Sequence, residues 1–204
     1  MRKPILLLAA LLAVGGCAEN FNARVSRYQA LPDAPAGQTF VVDSRNPKLK
    51  GGLEFGQYAK LVSARLVENG YQPAAPGTTP DLVVNVDYSV DNGRERVEST
   101  PGFPGYGRYY GGFGYRPYIF GFYDPFLTGG FNDVRSYTIY SSALDVQIDR
   151  TADGKRVFEG TAKAVSTDNE LPHLVPNLIT AMFTGFPGNS GETVKITIAP
   201  PRRS

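Results

Sequence analysis

The sequence predicts an α+β fold, a two-layer sandwich in which two helices lie on one face of a largely antiparallel sheet. Two observations carry the prediction. Apolar and polar residues alternate strictly in several short runs, as in strands with one face buried and the other wet. Two other segments repeat their apolar residues at helical spacing and fall between those runs, giving the order β-α-β-β-β-α-β.

The first β-rich run is Thr39 to Asp43, followed by a loop from Ser44 to Gly52. A helix is expected over Leu53 to Asn69, where Phe55, Tyr58, Ala59, Val62 and Leu66 recur on one side. Gly70 follows as a left-handed terminator, and Tyr71 is placed to pack back on the helix. Pro80 to Asp91 is the clearest strand. Leu82, Val84, Val86, Tyr88 and Val90 form its apolar face, and Asn85, Asp87, Ser89 and Asp91 its polar one.

A longer strand runs from Val134 to Arg150, with Tyr140, Leu144, Val146 and Ile148 inward. Thr151 to Gly154 is a turn, and Lys155 to Thr167 returns as its hairpin partner. The second helix is expected over His173 to Thr184 on the spacing of Leu174, Leu178, Ile179, Met182 and Phe183. Pro172 and Pro176 sit at or near its first turn, where a missing N–H costs least. Thr193 to Ala199 closes the sheet.

One segment departs from this plan. Residues 100–131 are rich in glycine and hold half of the chain's 12 tyrosines and 12 phenylalanines, with few aliphatic residues to build a core. The stretch reads as an insertion between two strands, too long for an ordinary connection. Its aromatics, Tyr106, Tyr109, Tyr110, Phe113, Tyr115 and Tyr118 among them, suit a partner protein, a sugar face or a membrane interface. Its glycines lack the spacing and flanking elements of a phosphate loop.

The N-terminus has the marks of export. Arg2 and Lys3 precede an apolar run from Ile5 to Val14, which is shorter than the roughly 20 residues a membrane span needs. The run ends in Val14, Gly15, Gly16 and Cys17. Small residues before a cysteine resemble the lipobox of bacterial lipoproteins, with cleavage between Gly16 and Cys17 and lipid attached to the Cys17 thiol. Cys17 is the chain's single cysteine, so no internal disulfide competes for it. Residues 1–16 are then a signal peptide, 17–38 a polar tether broken by Pro32 and Pro35, and 39–204 a single domain. The family rule for such anchors implies an outer-membrane destination facing the periplasm, because Ala18 rather than aspartate follows the cysteine, with the inner membrane as the alternative.

Cleavage removes Arg2 and Lys3, so the 21 basic residues become 19, equal to the 19 acidic ones. A neutral mature chain gives no argument for nucleic-acid binding.

Catalytic and metal-binding signals are sparse. His173 is the only histidine, which leaves no convincing Ser-His-Asp set, and at a helix start it reads as a solvated or capping residue. Asp87 and Asp91 share a strand face and, with Glu95, are the candidates for acid–base work, although a wet strand face looks the same. No cofactor and no metal site is expected.

Taken in order, the motifs resemble a known family. They are the strand Phe40-Val41-Val42, the helix end Leu66-Val67-Glu68-Asn69-Gly70-Tyr71, the strand Pro80-Asp81-Leu82-Val83-Val84 and the Gly/aromatic insertion. The hairpin Asp153 to Gly160 and Phe186-Pro187 complete the set. Together they resemble the bacterial lipoproteins of the domain of unknown function 4136, across nearly all the mature chain. The resemblance implies a periplasm-facing lipoprotein and brings no catalytic residues. The expectation is a non-enzymatic envelope lipoprotein, attached to the membrane by its lipid and binding an envelope protein or glycan. The alternative is a cell-envelope hydrolase using surface carboxylates.

Overall fold

The computed structural model describes residues 20–31, 37–100 and 133–200. In chain order its elements are β1 (Phe21–Gln29), β2 (Thr39–Asp43), α1 (Leu53–Glu68), β3 (Gln72–Pro73) and β4 (Leu82–Val90). They continue with β5 (Arg94–Thr100), β6 (Asp133–Arg150), β7 (Arg156–Ser166), α2 (Leu171–Phe183) and β8 (Glu192–Ile198). Seven strands lie in the lateral order β3-β2-β4-β6-β7-β1-β8, and β5 pairs with β6 off this path. The β2–β3 and β2–β4 pairs are parallel, and every other pair is antiparallel. The α+β architecture and its two helices agree with the sequence pattern.

The described residues form two compact units, divided after Asp91 and again before Tyr140. The larger holds both helices and all strands except β5 and the first part of β6. In the smaller, Arg94 to Thr100 pair antiparallel with Ile139 to Asp133. Tyr137 donates a hydrogen bond to Glu98 at 2.7 Å there, and Ser136 donates one to Glu95.

The largest departure from the sequence reading is β1. Residues 21–29 belong to the expected tether, yet they form a strand between β7 and β8, paired along seven positions with each. Ala23 and Val25 are buried, while Asn22, Arg24 and Tyr28 are exposed. The alternation is real but disguised, because the next inward position is Arg27. A charged residue at an apolar phase hides a strand from any hydrophobicity pattern. Two shorter strands, β3 and β5, were also not anticipated, because neither carries an apolar face long enough to register.

The helices follow their spacing. Phe55, Tyr58, Val62 and Leu66 of α1 are buried, as expected. Gly70 takes a positive φ of 90°, and Tyr71 donates its backbone N–H to the Leu66 carbonyl at 3.1 Å, folding back on the helix end with its side chain buried. In α2 the helix starts at Leu171, so Pro172 lies in the first turn but Pro176 falls inside the helix. That placement corrects the expectation of two prolines at the start. Among the described residues, no helix is long and apolar enough to cross a membrane.

One core joins the sheet to both helices. Leu82, Val84, Val86 and Tyr88 of β4 meet Leu144, Val146 and Ile148 of β6 and Phe158, Ala162 and Ala164 of β7. α2 packs tightly over Gly160, where an added Cβ would stand 2.8 Å from the Met182 sulfur and 3.0 Å from the Phe158 ring. Glycine is required there by close approach, not by backbone conformation.

Candidate functional site

Among the described residues the opposite face of the large sheet carries no helix, and it is where the strands collect their polar residues. Register turns alternation along each strand into rows across the sheet. One row runs Asp43, Asn85, Gln147, Glu159, Tyr28. The next runs Asp87, Asp145, Thr161, Ser26, Thr193. A third runs Ser89, Ala143, Lys163, Arg24, Lys195.

The acidic members are occupied within the fold. Asp87 accepts from the Ser44 hydroxyl at 2.5 Å and the Asn46 N–H at 3.3 Å, and Asp145 accepts from Thr161 at 2.6 Å. Asp149 takes an ion pair from Arg156 at 3.1 Å, a second from Arg45, and the Asn85 amide at 3.1 Å. Lys50 pairs with Asp43 at 2.6 Å. Partial burial of Asp43 opposes ionisation, but the bonds from Lys50 and the Ser44 N–H outweigh it and hold the carboxyl below its ordinary range.

The basic members are not. Arg24 stands directly opposite Lys163 on one side and Lys195 on the other, and all three are exposed. None makes a side-chain hydrogen bond or ion pair among the described residues. Like charges directly across a strand pair are destabilising. The acidic register position nearest the row is Asp145, on the diagonal from Lys163 and already engaged by Thr161.

The carboxylates of the alternative hydrolase reading are not brought together as a pair. Asp87 and Asp91 lie four residues apart along an extended segment, which sets their Cα atoms about 13 Å apart. Asp91 instead accepts from the Ser141 N–H at 2.9 Å, closing the edge of the β4–β6 ladder, and Glu95 belongs to the smaller unit. The carboxylate that register does bring opposite Asp87 is Asp145, which sequence spacing had no means of showing. Both are half-buried on the face of the sheet away from the helices.

His173 pairs with Asp168 at the start of α2. Partial burial of Asp168 is outweighed by the Glu170 N–H and the His173 ring, leaving its carboxyl below its ordinary range. Among the described residues no hydroxyl or thiol bonds the ring's other nitrogen. No three histidine, cysteine or carboxylate side chains among the described residues are grouped to hold a metal ion.

Between the helices runs a groove of about 440 Å³, lined by Glu54, Gln57, Tyr58, Leu61, Pro172 and Pro176. Tyr58 donates to Glu54 at 3.0 Å and meets the Tyr88 ring edge-on at 5.0 Å. Burial, then the Glu54 hydrogen bond, pushes the Tyr58 phenol well above its ordinary range, so it remains a neutral donor. Gly16 and Cys17, and the aromatics Tyr106, Tyr109, Tyr110, Phe113, Tyr115 and Tyr118, lie outside the described residues.

Sequence reasoning missed Arg24, Lys163 and Lys195 as a group. Each sits at an outward strand position, the one local signal available, but they belong to three strands whose adjacency only the fold reveals.

A family model, Domain of unknown function (DUF4136), matches residues 24–188. No curated protein matches the chain. Among solved structures, a PDZ domain protein from Parabacteroides distasonis is similar at a TM-score of 0.51 and 14% identity, over 88% of this chain and 39% of that one. The chain thus spans about two-fifths of that protein's length, and the likeness concerns the fold. A PelC dodecamer from Paraburkholderia phytofirmans is similar at a TM-score of 0.40 and 12% identity, over 79% of this chain and 96% of that one.

Proposed function

The chain belongs to the family of the domain of unknown function DUF4136, and from that premise we propose that it is a non-enzymatic envelope lipoprotein. In this reading it is anchored through lipid on Cys17, resides at the outer membrane facing the periplasm, and binds another envelope component through the open face of its sheet. The observation that carries the binding role is the row Lys163, Arg24 and Lys195, three exposed cations in direct register with no acidic partner among the described residues. A fold that places like charges side by side incurs a stability cost that a bound anion would relieve. The acidic residues of the same face are held by internal partners and organise the sheet surface.

The anchor is tested by labelling cells with a palmitate analogue. The wild-type chain should take up label and fractionate with outer membranes, and Cys17→Ser should do neither, since a hydroxyl does not replace the thiolate that accepts the lipid. Label on Cys17→Ser would sink the lipoprotein reading. The binding role is tested by mild crosslinking in membranes beside a screen for envelope hydrolase activity. Turnover abolished by Asp87→Asn or Asp145→Asn would replace a binding role with an enzymatic one.

A further inference from the structure

We propose that the Lys163–Arg24–Lys195 row docks the domain on anionic phospholipid headgroups of the leaflet that carries its own lipid anchor. The inference rests on the lipoprotein reading above and names the component that the open face meets first.

Three observations converge on a lipid surface. The first is charge. Three exposed cations lie across three neighbouring strands, within about 10 Å, and none has an acidic partner among the described residues. Phosphodiester headgroups are anions presented as a plane, and a row of cations on an open sheet face is complementary to a plane. The second is position. Arg24 follows Cys17 by seven residues, so even a fully extended chain keeps it within about 25 Å of the acylated sulfur. Because β1 starts at Phe21, the long tether expected from the sequence does not intervene. The third is the flank of the row. Val165, two residues beyond Lys163 on the same face, is 58% exposed. An exposed apolar residue beside long basic side chains suits the boundary between headgroups and acyl chains.

Acyl chains already supply enough affinity to hold the protein to the bilayer. The row therefore orients the domain, turning the β7-β1-β8 end of the open face toward the lipid. The acidic positions toward the β4 side then face away from the negatively charged surface, and the helical face with its groove is left accessible from the periplasm.

The test uses the mature chain made without lipid, as Cys17→Ser, so that no acyl chain contributes. It is mixed with vesicles of phosphatidylcholine alone or of phosphatidylcholine containing phosphatidylglycerol, and binding is read by cosedimentation. Binding should require phosphatidylglycerol and should vanish at high salt, where screening shortens to a few ångströms. Each of Arg24→Gln, Lys163→Gln and Lys195→Gln should weaken partition about fivefold, and the three together about a hundredfold. Lys60→Gln, an exposed change on α1, should leave binding as it was. The triple variant should melt at or above the temperature of its parent, because like-charge repulsion has been removed. Lost binding would then not be lost folding.

Equal binding to both vesicle types, or undiminished binding by the triple variant, overturns the proposal. So does a chain that ignores vesicles but crosslinks through Lys163 or Lys195 to an acidic envelope protein. Palmitate labelling of the wild type remains a separate readout. A labelled chain with no vesicle preference defeats this proposal and leaves the lipoprotein reading standing.

Discussion

Arg27 and Glu192 are direct register partners across β1 and β8, and their side chains meet in an ion pair at 3.0 Å with Arg27 only 2% exposed. The guanidinium does more than neutralise the glutamate. Its Nη2 donates to the carbonyls of Met182 at 2.8 Å, Thr184 at 2.7 Å and Ala181 at 3.3 Å. These carbonyls belong to the C-terminal end of α2, where helical geometry leaves acceptors unsatisfied and the dipole favours a cation. One side chain from the start of the chain thus closes a helix near its end. Gly188 makes room for the pair, since an added Cβ would stand 2.9 Å from the Arg27 Nη1 atom and closer still to the Glu192 carboxylate.

Arg27→Met should therefore destabilise the domain by about 2–3 kcal/mol, the cost of orphaning carbonyls that a charged donor had satisfied. Urea denaturation measures it as a lower midpoint with an unchanged slope. A midpoint equal to wild type would mean that water replaces the guanidinium without penalty.

Glu192 supplies a pH dependence. The Asn189 N–H, with a further contribution from Arg27 that partial burial opposes, holds the Glu192 carboxyl below its ordinary value of 4.5. A carboxylate whose pKa is depressed by folding adds stability above its unfolded value, and that stability is lost as pH falls through the folded value. Glu192→Gln should accordingly flatten the fall in stability below pH 4.5 while lowering stability at neutral pH. Parallel acid limbs for the two proteins would remove Glu192 from the account.

A chain beginning at Thr39, the domain start suggested by the sequence, should not fold cooperatively. It lacks β1, leaving β7 and β8 without their shared neighbour and the C-terminus of α2 without Arg27. A chain beginning at Asn20 should melt as one transition followed by circular dichroism. Equal transitions for the two would demote β1 to the tether it resembles in sequence.

Val86→Asp should unfold the protein, because Val86 is fully buried and an unpaired carboxylate there costs several kcal/mol, comparable with the stability of a domain. Asp87→Ser, one residue along, should cost only about 1 kcal/mol, the worth of the acceptor it removes from Ser44 and Asn46. Similar melting temperatures would mean that the two faces of β4 have been exchanged.

The sequence by itself determined the local elements of the larger unit that have one apolar side. α1, β4, β7, α2 and β8 could be read from residue spacing, as could the part of β6 that pairs with β4. Burial on one face imposes a period of 3.6 or 2 on the residues that experience it, and a period is a local property. Val84 and Val86 point inward because their neighbours Val83 and Asp87 point out, whichever strands lie beside them. Tertiary structure alone decided what those elements meet. Nothing near Arg27 in the chain marks it as the cap of a helix ending more than 150 residues later, and its charge at an inward position concealed β1 altogether. Asp145 opposite Asp87, and Lys163 and Lys195 on either side of Arg24, are likewise products of strand register. Register follows from which strands pair and with what offset, a non-local choice set by the packing of the whole core. The periodic residues therefore revealed the scaffold, while the residues that give the open face its chemistry came together only once the strands were paired.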